Sequence, residues 1–195
     1  TVTNAANVAQ AATIAGATSG TVQFAGGISD AVAAYASSGG SIVAGFNTAK
    51  TDDTDVAVTV TGTATVAQAG TISDATSGTV DFSNAGITDA IASLMNVGNN
   101  GVHANLQKAI NKDNDIAVAS NNATSVAQVN FINAASSFTG VITAAVGDTA
   151  ANLKDLTTSN TDQITATVAE GSVDAAHLVT IDSKTGITVA ANAVT

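Results

Sequence analysis

Short runs of β-branched residues alternate along the chain with longer stretches in which apolar residues recur every three or four positions. The short runs are typical of buried strands, and the longer stretches are typical of amphipathic helices. Two helices should begin at Ser29 and Thr88, which we predict to be N-caps, with Asp30 and Asp89 in the first turn. The predicted strands are 21–24, 56–60, 79–82, 116–118, 141–143 and 164–168.

The same sequence returns along the chain at a long and nearly fixed interval. Val8-Ala9-Gln10 reappears as Val66-Ala67-Gln68 and as Val126-Ala127-Gln128, at spacings of 58 and 60 residues. Such a period indicates one supersecondary unit stacked on copies of itself. Short strands joined through helices pair in parallel with right-handed crossovers. The sequence therefore predicts a right-handed α/β solenoid with short parallel strands, in which a repeat of about 59 residues contains two strand–helix coils.

We predict a single repeat domain that covers residues 1–195. The first two repeats carry insertions, at 37–48 and 96–106, which the third repeat lacks. The C-terminal part departs from the period and is expected to be richer in β-structure, with strands at 178–181 and 187–190. The predicted repeats are about 5–63, 64–123 and 124–167, followed by a divergent C-terminal coil at 168–195.

Three segments resemble the repeat region of very large secreted bacterial surface proteins. Asp148-Thr149-Ala150-Ala151-Asn152-Leu153 is similar to their "DTAANL" element, and Thr65-Val66-Ala67-Gln68-Ala69 and Ser77-Gly78-Thr79-Val80 are similar to their "TVAQA" and "SGTVT" elements. The resemblance covers most of residues 5–190. It implies an extracellular or cell-surface protein of the filament, S-layer or adhesin type, with type I secretion and calcium. The glycine-rich nonapeptide that binds calcium in RTX proteins is absent, so that calcium-binding structure is not carried over.

The composition restricts the partners of this chain. It has a net charge of −10, only five basic residues and no cysteine, and charged residues make up 10% of the sequence. A negative chain cannot neutralise phosphates, so nucleic acid and anionic membranes are poor partners, and we expect no nucleic-acid binding. No apolar run is long enough to insert into a membrane. The lack of cysteine is compatible with export into an oxidising space.

Acidic residues cluster just before three of the predicted strands. Asp53 and Asp55 precede one strand, Asp113 and Asp115 lie 60 residues later, and Asp162 precedes another. Carboxylates stacked one coil apart repel each other, and their oxygens are ligands that Ca²⁺ prefers. The pattern predicts a Ca²⁺ site. The alternative is that these residues supply turn chemistry and solubility at strand edges.

Catalytic surroundings are not recognisable in the sequence. His103 and His177 lie in non-equivalent contexts, and no serine has a Gly-x-Ser-x-Gly elbow or a paired base. We therefore expect a protein that is not an enzyme.

The expected function is that of a structural module in an extracellular bacterial assembly, such as a surface filament, an S-layer or a giant adhesin stalk. Such a module would associate with itself end to end, and Thr1-Val2-Thr3 could add to a neighbour's sheet as a donor strand. The alternative function is a calcium-dependent adhesive module that binds a polysaccharide or a cell-surface receptor.

Overall fold

The structure is a computed structural model that describes residues 1–82, 86–169 and 173–191. Its helices and parallel strands confirm the predicted α/β class. Glu170 and residues 192–195, which belong to the predicted C-terminal coil, lie outside the described residues. The elements are α1 (Val8–Gly16), β1 (Ile28–Ala31), α2 (Val32–Tyr35), α3 (Ala44–Asp52), β2 (Val58–Thr61), α4 (Val66–Ala75), β3 (Val80–Asp81), β4 (Ile87–Asp89), α5 (Ile91–Leu94), α6 (Ala104–Lys112), β5 (Val118–Thr124), α7 (Val126–Asn133), β6 (Ile142–Asp148), α8 (Ala150–Leu153), β7 (Gln163–Val168), α9 (Ala175–Asp182) and β8 (Ala190–Ala191).

The chain divides into two compact units. The first consists of residues 1–87 and 104–116, and the second consists of residues 88–103 and 117–195. The repeat boundaries drawn from the sequence remain a prediction. In the part of the chain that the structure describes, no helix is long and apolar enough to cross a membrane.

The first unit contains a parallel sheet with the strand order β1-β2-β3. Ile28 pairs with Val58, and Val58 pairs in turn with Val80. The segment before α1 extends this arrangement, because Ala6 forms a parallel bridge with Ile28. The helices pack in pairs, α1 against α3 and α4 against α6.

Tyr35 links the strands β1 and β2 of this unit through its side chain. Its ring is buried and meets the ring of Phe46 edge to face, with 4.9 Å between the centroids. Its hydroxyl lies 2.8 Å from the carbonyl oxygen of Ile28 and 3.0 Å from that of Thr59. Burial raises the pKa of this hydroxyl well above its ordinary value, so the group stays protonated and remains a donor.

In each of the two helix pairs a glycine allows the helices to approach closely, but the glycine lies on a different helix of the pair. In the first pair it lies on α3, where a Cβ atom on Gly45 would be 3.3 Å from the Cγ1 atom of Val8. In the second pair Gly70 lies on α4, and a Cβ atom there would be 2.3 Å from the Cγ atom of Asn105. Asn105 occupies the position 60 residues after Gly45. Both pairs therefore have the same close contact, but the glycine that permits it is on the second helix in one pair and on the first helix in the other.

The second unit is built on a sheet with the strand order β4-β5-β6-β7-β8, in which β5 to β8 pair in parallel. Buried and exposed residues alternate along β6 and β7. Ile164, Ala166 and Val168 point inward, while the threonines between them face solvent. One face of these strands therefore packs in the core.

Five predicted strands overlap the observed strands β2, β3, β5, β6 and β7. The sixth, 21–24, is not a regular strand, although Val22 and Phe24 are buried. Each predicted insertion opens with a tight antiparallel turn, in which Ala36 bridges Ile42 and Met95 bridges Val102.

The predicted N-caps at Ser29 and Thr88 are wrong, because both residues lie in strands, β1 and β4. The helices α2 and α5 begin only at residues 32 and 91, and the alanines before them make no side-chain cap. A turn at Gly27, with φ of +74°, aligns residues 28–31 with β2. Pairing with the neighbouring strand therefore overrides the local capping signal.

The strand predicted at 178–181 is also wrong, because these residues lie in α9. Asp174 is the N-cap of that helix, and its side chain accepts a hydrogen bond from the Ala176 amide at 2.8 Å. A side chain that caps the first turn stabilises a helix even where β-branched residues follow. The strand predicted at 187–190 overlaps β8.

Candidate functional site

The five predicted calcium ligands differ strongly in exposure. Asp53 and Asp162 are each only 4% exposed, and Asp113 is half-buried. Asp55 and Asp115 are exposed to solvent. The buried member of each cluster therefore requires partners inside the protein.

In the first unit, the buried carboxylates accept backbone hydrogen bonds from amides about 30 residues earlier in the chain. The Phe24 amide donates to Oδ2 of Asp53, and the Phe82 amide donates to Oδ2 of Asp113, both at 2.6 Å. The partners are 29 and 31 residues apart in sequence. Phe24 and Phe82 occupy equivalent positions in the repeat. Each acidic turn thus holds the backbone of an earlier segment in place, at Phe24 and at Phe82.

The second unit uses the same contact with different donors. Oδ1 of Asp162 accepts from the Ile142 amide at 2.8 Å, and its Oδ2 accepts from the Ser159 amide at 2.9 Å. Thr185 makes the corresponding contact further along the chain, where its hydroxyl oxygen lies 3.0 Å from the Ile164 amide and 2.8 Å from the Ile164 carbonyl oxygen. Thr185 could not be predicted from the sequence, because a single threonine among so many carries no distinguishing signal.

Each buried carboxylate in the first unit has an acidic neighbour. Burial raises the pKa of Asp53, and the hydrogen bond and charge of Asp55 raise it further. Burial also raises the pKa of Asp113 to about 6, assisted by the hydrogen bond to Asp115 and by the charges of Asp115 and Asp81. The structure therefore brings together Asp53 with Asp55, and Asp113 with Asp115, as pairs that favour a shared proton or a counter-ion.

A larger acidic cluster is not formed. Among residues 1–82, 86–169 and 173–191, no group of three or more acidic or histidine side chains is placed to hold a metal ion. The carboxylate oxygens of Asp53, Asp113 and Asp162 already accept backbone N–H groups. The Ca²⁺ site stays a prediction, and the contacts identified for these residues are structural.

Replacing Asp113 with asparagine should change how stability depends on pH. The amide oxygen can still accept from Phe82, while the repelling charge is removed. In the wild type the folded-state pKa of about 6 lies above the ordinary value of 3.8. The folded protein thus holds a proton that the unfolded chain has released, and this group's contribution to stability falls as the pH rises from 3.8 to 6. Urea unfolding at pH 4.5 and 8 should show Asp113→Asn gaining about 1 kcal/mol over wild type at the higher pH, a figure that allows for solvent screening.

Asp113→Ala is the matched control, because it removes the charge and the acceptor together. It should be less stable than Asp113→Asn at both pH values. Thermal melts of the same samples in millimolar calcium and in EDTA test the calcium prediction. A calcium-dependent rise in Tm that both variants lose would support a cation at this pair. An identical pH dependence in wild type and Asp113→Asn would contradict the charge argument.

Two open grooves lie apart from the acidic turns, each between a helix and a neighbouring strand segment. The α1 groove has a volume of about 520 Å³ and is lined by residues of the segment 2–7 and of α1, including Ala9, Gln10, Thr13 and Ile14. The α9 groove, of about 320 Å³, is lined by Leu178, Val179, Asp182, Thr188, Val189 and Ala191. Among the described residues that line the two grooves, Asp182 alone is charged.

No family model, curated protein or solved structure matches this chain.

Proposed function

We propose that this chain is a structural module of an extracellular bacterial assembly and that it associates with copies of itself end to end. The observation that carries the proposal is the pair of open, nearly uncharged grooves, one beside α1 and one beside α9. Each combines a strand segment with an exposed apolar helix face. Such surfaces favour association with another protein.

The recurring contacts support a solenoid in which each coil is fixed to the next. Asp53 and Asp113 bind backbone groups of the preceding coil in the first unit, and Asp162 does so in the second. An architecture in which each repeat contacts mainly its neighbours is typical of proteins that extend surfaces or span distances. A contact that repeats head to tail builds an open filament unless rotation closes it into a ring.

The N-terminal segment takes part in the fold of its own chain. The Val2 amide donates to the Gln23 carbonyl at 2.7 Å, and the Ala6 amide donates to the Gly27 carbonyl at 3.1 Å. The expected role of residues 1–3 as a free donor strand is therefore revised. In the proposed assembly, this segment remains paired with residues 23–29 and offers its other edge to a partner.

The proposal is tested by the assembly state of the wild-type chain. Sedimentation velocity over a hundredfold range of concentration, followed by electron microscopy, should show species that grow with concentration into fibres or sheets. The net charge of −10 makes copies repel, so added NaCl should promote association by screening. A chain that stays monomeric at every protein and salt concentration would contradict the proposal.

A further inference from the structure

The repeat shows what covers a helix of the α1 type inside the protein. In α4, Gln68 is buried, and its side-chain amide donates to the Ala36 carbonyl oxygen at 3.0 Å. The loop at residue 40 also reaches this helix, where a Cβ atom on Gly40 would lie 3.1 Å from the Cβ atom of Ala67. Residues 36–40 of the preceding repeat therefore close the outer face of α4.

The second unit repeats this arrangement at α7. The side-chain amide of Gln128 lies 3.5 Å from Oδ1 of Asn99, which belongs to the equivalent loop of its own preceding repeat. The loop–helix contact is thus a property of the repeat rather than of one copy. A third helix with the same sequence should have the same requirement.

In α1 the same residue types are left uncovered. Gln10 and Thr13 are exposed, although their equivalents Gln68 and Thr71 contact the preceding loop. Ile14 is 37% exposed, whereas its equivalent Ile72 is fully buried. These residues line the α1 groove. The groove is therefore a face that, elsewhere in this chain, another repeat covers.

We infer that the α1 groove of one copy receives the α9 groove of a second copy, so that α9 packs on α1 and β8 pairs with the segment 2–6. This inference names the contact surfaces of the proposed end-to-end assembly and rests on that proposal. Both segments already pair in parallel on their inner sides, Ala6 with Ile28 and Ala191 with Val168. A second copy with its strands in the same direction continues that parallel pairing.

Two observations favour a second copy over an unrelated partner. The exposed residues of α1 have the sequence that α4 buries against this chain's own repeat. At the α9 groove, Val179 is 72% exposed and lines the groove together with the apolar residues Leu178 and Val189. The two linings together contain one charged residue, Asp182, in a chain of net charge −10. These faces therefore do not recognise a partner by opposite charge. They offer apolar packing instead.

Aspartate substitutions at the two grooves test the inference through complementation. Ile14→Asp and Val179→Asp each place an unpaired carboxylate in one groove and should raise the concentration needed for assembly by roughly 100-fold. Each variant keeps one intact groove, so an equimolar mixture should form 1:1 heterodimers that do not grow further. Val97→Asp is the matched control, because Val97 is fully exposed at 105% and lies in neither groove. It should assemble like wild type.

The outcomes separate the inference from the proposed function. Circular dichroism melts first verify that all three variants fold. If wild type assembles and both groove variants assemble equally well, the docking surfaces are wrong while self-association stands. If Val179→Asp alone forms dimers, the contact joins two α1 grooves, and the head-to-tail arrangement is overturned. A monomeric wild type overturns the proposed function and the docking with it.

Discussion

Replacing Asp162 with alanine should destabilise the protein more than any other change at the acidic turns. Its carboxylate is buried and accepts from two backbone amides, those of Ile142 and Ser159, at 2.8 and 2.9 Å. Alanine leaves the buried Ile142 N–H without this acceptor, which costs about 1–3 kcal/mol, and it also removes the part-buried hydrogen bond from the exposed Ser159, worth about 0.5–1.5 kcal/mol, so we expect a loss of about 2–4 kcal/mol. Urea unfolding monitored by circular dichroism measures it.

Two further substitutions calibrate that result. Asp162→Asn keeps one acceptor oxygen and should lose roughly half as much. Asp155→Ala removes an exposed carboxylate that pairs with Lys154 on the surface and should cost less than about 0.5 kcal/mol. The loss at Asp162 should be the same in EDTA and in calcium. A loss that appears only in calcium would contradict the structural role and favour the predicted metal site.

Two single substitutions, Asp52→Lys and Lys112→Asp, should change the free energy of unfolding in opposite directions. The Lys112 ammonium donates to the carbonyl oxygens of Thr76 and Gly78 at 2.9 and 2.7 Å. The position 60 residues earlier holds Asp52, whose Oδ2 is buried and has no hydrogen-bond partner among the described residues. Asp52→Lys removes that unsatisfied oxygen, so we expect a gain of about 1–2 kcal/mol, and Lys112→Asp should lose about 2 kcal/mol.

The gain at position 52 rests on the likeness of two turns. The Gly20 amide donates to the Thr18 hydroxyl at 3.0 Å, just as the Gly78 amide donates to the Thr76 hydroxyl at 2.9 Å. Thr51→Lys adds a positive charge at the adjacent exposed position and serves as the control. Thermal melts at low and high salt measure all three variants. If Thr51→Lys stabilises as much as Asp52→Lys, the gain comes from net charge rather than from the turn.

Helices that begin with a capping motif, and most of the strands, can be predicted from short local patterns in the sequence. The helix at 66–75 begins with a capping box, in which Thr65 and Gln68 bond each other's backbone, and that pattern is legible in the sequence. Strand positions followed from β-branched runs. The prediction failed at Ser29, where a good capping residue lies in a strand, because pairing with residues 58–61 is a non-local interaction.

The acidic turns show the same limit for the candidate site. Their place just before predicted strands singled out Asp53, Asp113 and Asp162, and a spacing of 60 residues related the first two. Their partners are main-chain amides 29, 31 and 20 residues away. Because every residue type except proline offers such an amide, no side-chain pattern marks the partner. The acidic residues could therefore be located from the sequence, but the amides that they bind could not be predicted from it.

The direction of these hydrogen bonds has a consequence for how the chain acquires its structure. Each carboxylate belongs to a later part of the chain than the amide it binds. In a chain that emerges amino end first, from a ribosome or through a pore, each of these amides gains its acceptor only when the next 20–31 residues have appeared. For these three contacts folding therefore does not wait for a distant part of the chain. Contacts over such separations cost less loop-closure entropy than contacts between the ends of a long chain. A chain lengthened by further copies of this pattern would fold at the same pace per copy, because each added copy brings the acceptors for the one before it.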